Sequence, residues 1–344
     1  MNRAFWRGRR VFLTGHTGFK GTWLTRWLTM LGADVTGYSI DDGGRADARG
    51  ARLKPDLRFD DVRDLARLRA AMSEAAPEIV VHLAAQALVR ASYDEPVTTF
   101  TTNVTGTVHV LEAIRSLPSV RVAVMATSDK SYANSGAGRA FTEDDPLGGN
   151  DPYSSSKACA ELVITSYRAS FFRGEDAPRI VSVRAGNVIG GGDWAKDRLV
   201  PDLVRAFRAG TPAAIRYPDA TRPWQFVLDA LHGYLRAAEY AWERGDLPET
   251  FNFGPDPREA RSVRWLADTM AARWGGGAAW HVTGGVHPHE EPLLALDSAR
   301  ARQWLQWKPL LGAESVVAWT TDWYKSARDL TVEQIEQFME LIPA

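Results

Sequence analysis

The sequence predicts an α/β fold: a doubly wound parallel sheet carrying a smaller mixed α/β lobe towards its C-terminus. Three observations predict it. Short apolar runs alternate with stretches of helical period through the first half. A glycine-rich turn joins the first run to the first amphipathic stretch. The chain has 344 residues, enough for a nucleotide-binding core with a partner lobe closing over a cleft.

In order, Arg10 to Thr14 reads as a buried strand. Arg7, Arg9 and Arg10 precede its apolar residues, but the run stops at Thr14-Gly15, too short for an export signal. Trp23 to Leu31 reads as a helix whose Trp23 and Trp27 share one face and belong to the core. Asp34 to Ser39 is a strand, and Asp41 to Gly50 a polar, glycine-rich loop. Phe59-Asp60-Asp61-Val62 ends a further short strand before a helix from Val62 to Met72. Ile79 to Leu83 and Val120 to Ala126 are strands, with a helix from Val97 to Ile114 between them. A long helix from Ser154 to about Phe172 precedes the strand Ile180 to Val183. Strand, crossover helix, strand, repeated this way, yields parallel pairing with helices on both faces. Beyond Asn187 the alternation gives way to glycine-rich, proline-punctuated stretches with short helices such as Pro201 to Ala209 and Val263 to Trp274.

Composition narrows the function classes. With 41 basic and 42 acidic residues the net charge is -1, so no global excess draws nucleic acid or an anionic membrane. No apolar stretch approaches the ~20 residues that span a bilayer. The single cysteine, Cys159, has no intrachain partner, which fits a reducing cytoplasm. His287-Pro288-His289-Glu290-Glu291 has no evident third strong ligand, and no metal is expected.

Gly15, Gly18 and Gly21 in Val11-Phe12-Leu13-Thr14-Gly15-His16-Thr17-Gly18-Phe19-Lys20-Gly21 sit between a strand and a helix. Such a turn lets backbone approach a pyrophosphate while the helix N-terminus supplies amide donors. Gly15, Thr17, Gly18, Phe19 and Lys20 are therefore candidate contacts to a dinucleotide. Asp41, at the end of the second strand, can accept hydrogen bonds from the adenosine ribose and repel a 2′-phosphate, which favours NAD over NADP. The other reading of Asp41 and Asp42 is a pair of solvated loop acids. Asp61 can lie near the adenine amino group or cap the following helix. These features make the sheet Rossmann-type, with residues 1–186 as the NAD-binding domain, about 222–256 returning to it, and 187–344 mainly a ligand-binding lobe.

Tyr153-Ser154-Ser155-Ser156-Lys157 opens a helix, and residues four apart share a face. Lys157 can thus sit beside the Tyr153 hydroxyl and lower its pKa, making a tyrosinate base. Thr127-Ser128 ends a strand shortly upstream and supplies a hydroxyl to orient a substrate alcohol. With Leu83-Ala84-Ala85 and Asn103 between them, these motifs resemble the extended short-chain dehydrogenase family. That resemblance implies that Tyr153 deprotonates a sugar hydroxyl as hydride passes to NAD, that Lys157 also holds the nicotinamide ribose, and that Thr127 orients the alcohol. It adds Val62, Leu83, Ala84, Ala85, Asn103 and Val188 to the cofactor contacts.

Thr127-Ser128-Asp129-Lys130 carries the finer resemblance, to nucleotide-sugar 4,6-dehydratases and within them to the branch acting on CDP-glucose. Asp144-Asp145-Pro146-Leu147-Gly148-Gly149, Ala185-Gly186-Asn187-Val188-Ile189-Gly190-Gly191-Gly192-Asp193-Trp194 and Arg222-Pro223-Trp224-Gln225 agree with it. The implied substrate is CDP-glucose or a related nucleotide sugar. Asp129 would protonate the departing C6 hydroxyl, and Lys130 would either take the C5 proton or stay protonated and stabilise the enolate. Ser128, Asn187, Arg198, Leu199 and Arg222 would contact the substrate, with guanidinium suited to its diphosphate. Ser131 and Phe226 depart from the branch's usual cysteine and histidine, and Ala133 to Arg139 is small and glycine-rich. A nucleotide-sugar 4-epimerase is the alternative enzyme, although epimerisation needs no acid for a C6 leaving group. An NAD-binding scaffold is the non-catalytic alternative. The resemblance also implies a homodimer formed through Val97 to Ile114 and Ser154 to Phe172.

Overall fold

A computed structural model describes residues 2–40, 56–134, 139–243, 248–284 and 295–343. Seven parallel strands form the central sheet: β1 (Arg10–Thr14), β2 (Asp34–Ser39), β3 (Asp56–Phe59), β4 (Ile79–His82), β5 (Val122–Ala126), β6 (Arg179–Ala185) and β7 (Thr250–Phe253). Their order is β7-β6-β5-β4-β1-β2-β3, all pairings parallel. β4 is buried along its whole length and β1 from Val11 onward, as expected where helices cover both faces. The order reverses between β1 and β4, the crevice where open parallel sheets bind ligands.

Helix α1 (Phe19–Met30) follows β1 directly, and its Trp23 and Trp27 are fully buried, as their spacing predicts. Trp23 also donates to the Gly191 carbonyl at 2.8 Å, tying α1 to the segment after β6. Helix α2 (Leu65–Ala75) is capped by Asp64, which accepts from the Arg67 amide. The single helix expected from Val97 to Ile114 is three pieces. A short helix Pro96–Phe100 passes into a π-helical turn, Thr101–Thr105, and then into α3 (Gly106–Arg115). The wider turn carries Asn103, whose side chain clasps Gln86 and Ser156, and that exchange explains why periodicity alone misses it.

Helix α4 (Pro152–Phe171) starts with Asp151 accepting from the Ser154 amide and proline at its first position, so Tyr153 falls in the first turn. After β6 come α5 (Leu199–Arg208), α6 (Val227–Glu243), whose residues are largely buried, and α7 (Val263–Trp274), which matches the expected span. One apolar core runs from β1 and α1 through α6 to Trp307, Val317 and Phe338 near the C-terminus. A second core lies on the other sheet face, under α2, α3 and α4. Phe226 belongs to the first: it is fully buried with edge contacts to Trp23 and Trp319 at 5.9 and 5.5 Å. Its departure from the expected histidine is therefore a matter of packing. No helix among the described residues is long and apolar enough to cross a membrane.

Candidate active site

A cleft of about 680 Å³ opens over the C-terminal ends of β1, β4, β5 and β6. Each edge is supplied by a loop that leaves a strand at this end. The turn after β1 contributes Gly15, Gly18, Phe19 and Lys20; the segment after β4 Leu83, Ala85 and Arg90; that after β5 Thr127 to Lys130; that after β6 Gly186, Asn187 and Val188. Arg198 and Leu199, at the start of α5, and Arg222 close the far side.

The dinucleotide turn has the geometry its glycines predict. Gly15 has φ +77°, and a Cβ there would lie 2.6 Å from the Ala84 amide nitrogen. The first amides of α1, entered at Gly18, receive no side-chain cap, which leaves a helix N-terminus facing the cleft. These residues fit a dinucleotide pyrophosphate. The Thr17 hydroxyl pairs with Ser39 at 2.7 Å.

Three residues expected at the cofactor make contacts elsewhere in this structure and are not among those lining the cleft. Asn103 spends its amide on Gln86 and Ser156, so it positions the loop after β4 against α4. The Val62 side chain packs against Gly106, and its carbonyl meets His109 Nδ1 at 3.0 Å. Asp61 is turned onto Arg63, which holds its carboxyl below the usual range against the opposing effect of burial. Asp41, and the histidine-rich stretch at 287–291, fall outside the described residues.

The catalytic candidates converge. Ser128, Asp129 and Tyr153 are buried and line the cleft together with Lys130 and Lys157. Asp129 to Ser131 form a 3-10 turn pinned by the Ser131 hydroxyl on the Ser128 carbonyl at 2.7 Å. Serine where the branch favours cysteine thus holds the turn. Asp129 lies against Gly186 so closely that a Cβ on the glycine would be 1.7 Å from Asp129 Oδ2. Ser128 Oγ donates to Asp129 Oδ1 at 2.9 Å and also hydrogen-bonds the Tyr153 hydroxyl. Ser128 therefore links the tyrosine to the carboxylate. Thr127, assigned the orienting hydroxyl from sequence, donates instead to buried Glu161, which pairs with Arg184 at 2.8 Å.

Electrostatics differ from the sequence expectation in one respect. Burial pushes the Tyr153 hydroxyl up to about 12; the Ser128 hydrogen bond opposes this and the Asp129 carboxylate adds to it. The direction is upward despite Lys157, whose ammonium reaches the Ala126 carbonyl at 3.4 Å. Burial lowers Lys157 to about 8, with the like charge of Lys20 adding and Glu161 opposing. Lys20, 3.1 Å from the Tyr234 hydroxyl, is also lowered to about 8, by burial and Arg198 against the pull of Asp129. Its side chain thus reaches the catalytic groups, although the glycine motif presents it as a backbone contact. Arg90, Lys196, Arg216 and Tyr217, which carry no motif, also line the cleft. Their only sequence signal is position, Arg90 soon after β4 and Arg216 just after the short strand Ala213–Ile215.

A model of the NAD dependent epimerase/dehydratase family matches residues 11–254. The chain belongs to this family. The CDP-glucose 4,6-dehydratase of Salmonella typhimurium is 44% identical over 334 residues, covering 95% of this chain and 93% of the relative. A UDP-glucose 4-epimerase of Mycolicibacterium smegmatis is 29% identical over 92% of this chain and 99% of its own length. Among solved structures, a dTDP-glucose 4,6-dehydratase from Bacillus anthracis in complex with NAD has TM-score 0.77 over 92% of this chain and 97% of that one, at 20% identity, a likeness of fold. Like other members of the NAD-dependent epimerase/dehydratase family, the protein uses NAD.

Proposed function

We propose that the protein is a nucleotide-sugar 4,6-dehydratase that converts CDP-glucose to CDP-4-dehydro-6-deoxyglucose and water. The observation that carries this reading is the Asp129-Lys130 pair on one turn with Ser128, facing the same cleft as Tyr153. An epimerase has no C6 leaving group for such a pair to serve. The 44% identity to the Salmonella CDP-glucose enzyme supports the same choice of substrate.

Gly15, Gly18, Phe19 and Lys20 would hold NAD at the turn after β1, and Lys157 at its nicotinamide ribose; there it would supply the reversible hydride acceptor for C4 oxidation and C6 reduction, and a cationic ring that would favour the phenolate form of Tyr153. Ser128 orients the C4 hydroxyl, and Tyr153 takes its proton. The C4 ketone makes the C5 proton acidic; Lys130 accepts it while Asp129 protonates the departing C6 hydroxyl, which leaves as water. Lys130 then returns its proton to C5. Tyr153 has gained one proton and Asp129 has lost one, and the Ser128 hydroxyl between them is the path that resets both. Arg198 and Arg222, with Asn187 and Leu199, hold the diphosphate and sugar.

The active unit in this reading is a homodimer. Val97 and Phe100, and Leu162 and Phe171 on α4, are exposed apolar residues on the two helical segments expected to pair, with Val97 74% and Leu162 59% exposed. The function is tested by incubating the protein and NAD with CDP-glucose, dTDP-glucose, UDP-glucose and GDP-mannose and following product mass. Loss of one water from CDP-glucose without net NADH is expected; an isomer of unchanged mass would make it an epimerase.

A further inference from the structure

We infer that the Asp197 carboxylate is a stand-in for phosphate, seated between Arg90 and Arg216 at the mouth of the cleft until the substrate's diphosphate displaces it. This rests on the nucleoside-diphosphate sugar reading above.

Arg90 Nη1 lies 3.4 Å and Arg216 Nη1 3.8 Å from the same oxygen, Asp197 Oδ1. The arginines come from segments far apart in sequence, one after β4 and the other after Ala213–Ile215, and meet only across the cleft. Both contacts are longer than the roughly 2.7–2.9 Å of a strong charge-assisted hydrogen bond, and one oxygen serves two guanidinium groups. Asp197 itself holds φ +64°, a left-handed turn conformation that aspartate adopts more readily than most residues with a Cβ, so the long contacts alone describe its seat. The carboxylate is thus poorly seated on two cations aimed at one point. Arg198 next door differs: it is held by the largely buried Asp193 at 2.8 Å and reaches the Ala87 carbonyl. Arg198 is thus already oriented in the cleft lining for the substrate, whereas Arg90 and Arg216 have donor capacity that a single carboxylate oxygen does not fill. A phosphate, with more acceptor oxygens and more charge, satisfies both at once.

The seat makes Asp197 an inhibitor of its own site, which is the opposite of what an acid organising two arginines would be. Binding of CDP, UDP, dTDP and cytidine to wild type, Asp197→Asn, Arg90→Gln and Arg216→Gln, measured by calorimetry, separates the two. Asp197→Asn is expected to bind the preferred nucleoside diphosphate about three- to tenfold more tightly, because two partly exposed ion pairs no longer compete. Arg90→Gln and Arg216→Gln are each expected to bind it about tenfold more weakly, with cytidine affinity alike in all four proteins. Binding by Asp197→Asn that is unchanged or weaker, in a protein whose wild type binds, would overturn the seat. A wild type that binds none of the three diphosphates would instead overturn the substrate reading on which the seat depends.

Discussion

Adjacent hydroxyls at the end of β5 have opposite surroundings, and the chemistry follows from that. Ser128 faces Tyr153 and Asp129, while Thr127 faces the buried Glu161–Arg184 pair. Ser128→Ala is expected to lower kcat about 10²-fold or more with little change in melting temperature. Thr127→Val is expected to do the reverse, costing about 1–3 kcal/mol of stability because Glu161 loses a buried donor, with kcat close to wild type. Steady-state kinetics beside thermal melts of the two variants check both. Lys157 and Lys20, each near 8, are charged below that pH and neutral above it, so kcat/KM at saturating NAD falls as pH rises through about 8. Lys20→Met removes a like charge from Lys157, raises its pKa and moves this alkaline limb upward; a limb that stays in place would show that Lys157 is not the group responsible. At this scale the sequence reads well where spacing is local. Tyr153, Lys157, Asp129 and Lys130 lie within a turn or one helix, and their proximity follows from backbone geometry. Which of Thr127 and Ser128 points at the tyrosine depends on how β5 sits against α4, and Arg90 and Arg216 meet only through tertiary packing, so neither was legible.

Among the elements, strands β1 to β6 of the main sheet and the spans of α1, α4 and α7 follow from apolar runs, helical period and caps. The π-helical turn did not; it carries Asn103, whose partners Gln86 and Ser156 are met only across the fold. The two-residue strands Val188–Ile189 and Gln225–Phe226, which pair with each other beside the cleft, are too short to carry a period. Helix α6 holds a buried acid with a measurable consequence. Asp229 accepts from the Leu310 amide at 2.6 Å, while its other oxygen is buried without a hydrogen-bond partner among the described residues. Burial raises its pKa from 3.8 to about 7, against the lowering effect of the Leu310 and Leu311 amides. The folded state therefore binds a proton that the unfolded chain gives up near pH 4. Stability from this group is present below pH 4 and is lost as pH rises through about 7, a change on the order of a few kcal/mol. Asp229→Asn is expected to remove that slope from melting temperatures recorded between pH 5 and 8; a slope equal to wild type would place its origin elsewhere.

Across the whole molecule, the cleft exists because seven parallel strands deliver their C-terminal loops to one edge while the segments after Asn187 close the other. That architecture was legible from alternation, and the expected return of about 222–256 to the NAD-binding domain brackets Thr250–Phe253, but that strand and its place beside β6 were not legible, since about sixty residues of chain intervene and contribute no strand to this sheet. The exposed apolar residues on Pro96–Phe100 and α4 belong to this scale too. In the proposed homodimer, Val97→Glu combined with Leu162→Glu is expected to leave a monomer in light scattering after size exclusion, because burying two like charges in each half of an apolar interface is unfavourable. The most direct test of the account uses CDP-glucose deuterated at C4, incubated with the NAD-loaded enzyme, with the product analysed by mass spectrometry and NMR. The account predicts loss of one water and deuterium at C6, carried there within one active site. Deuterium returned to C4 in a sugar of unchanged mass would contradict it.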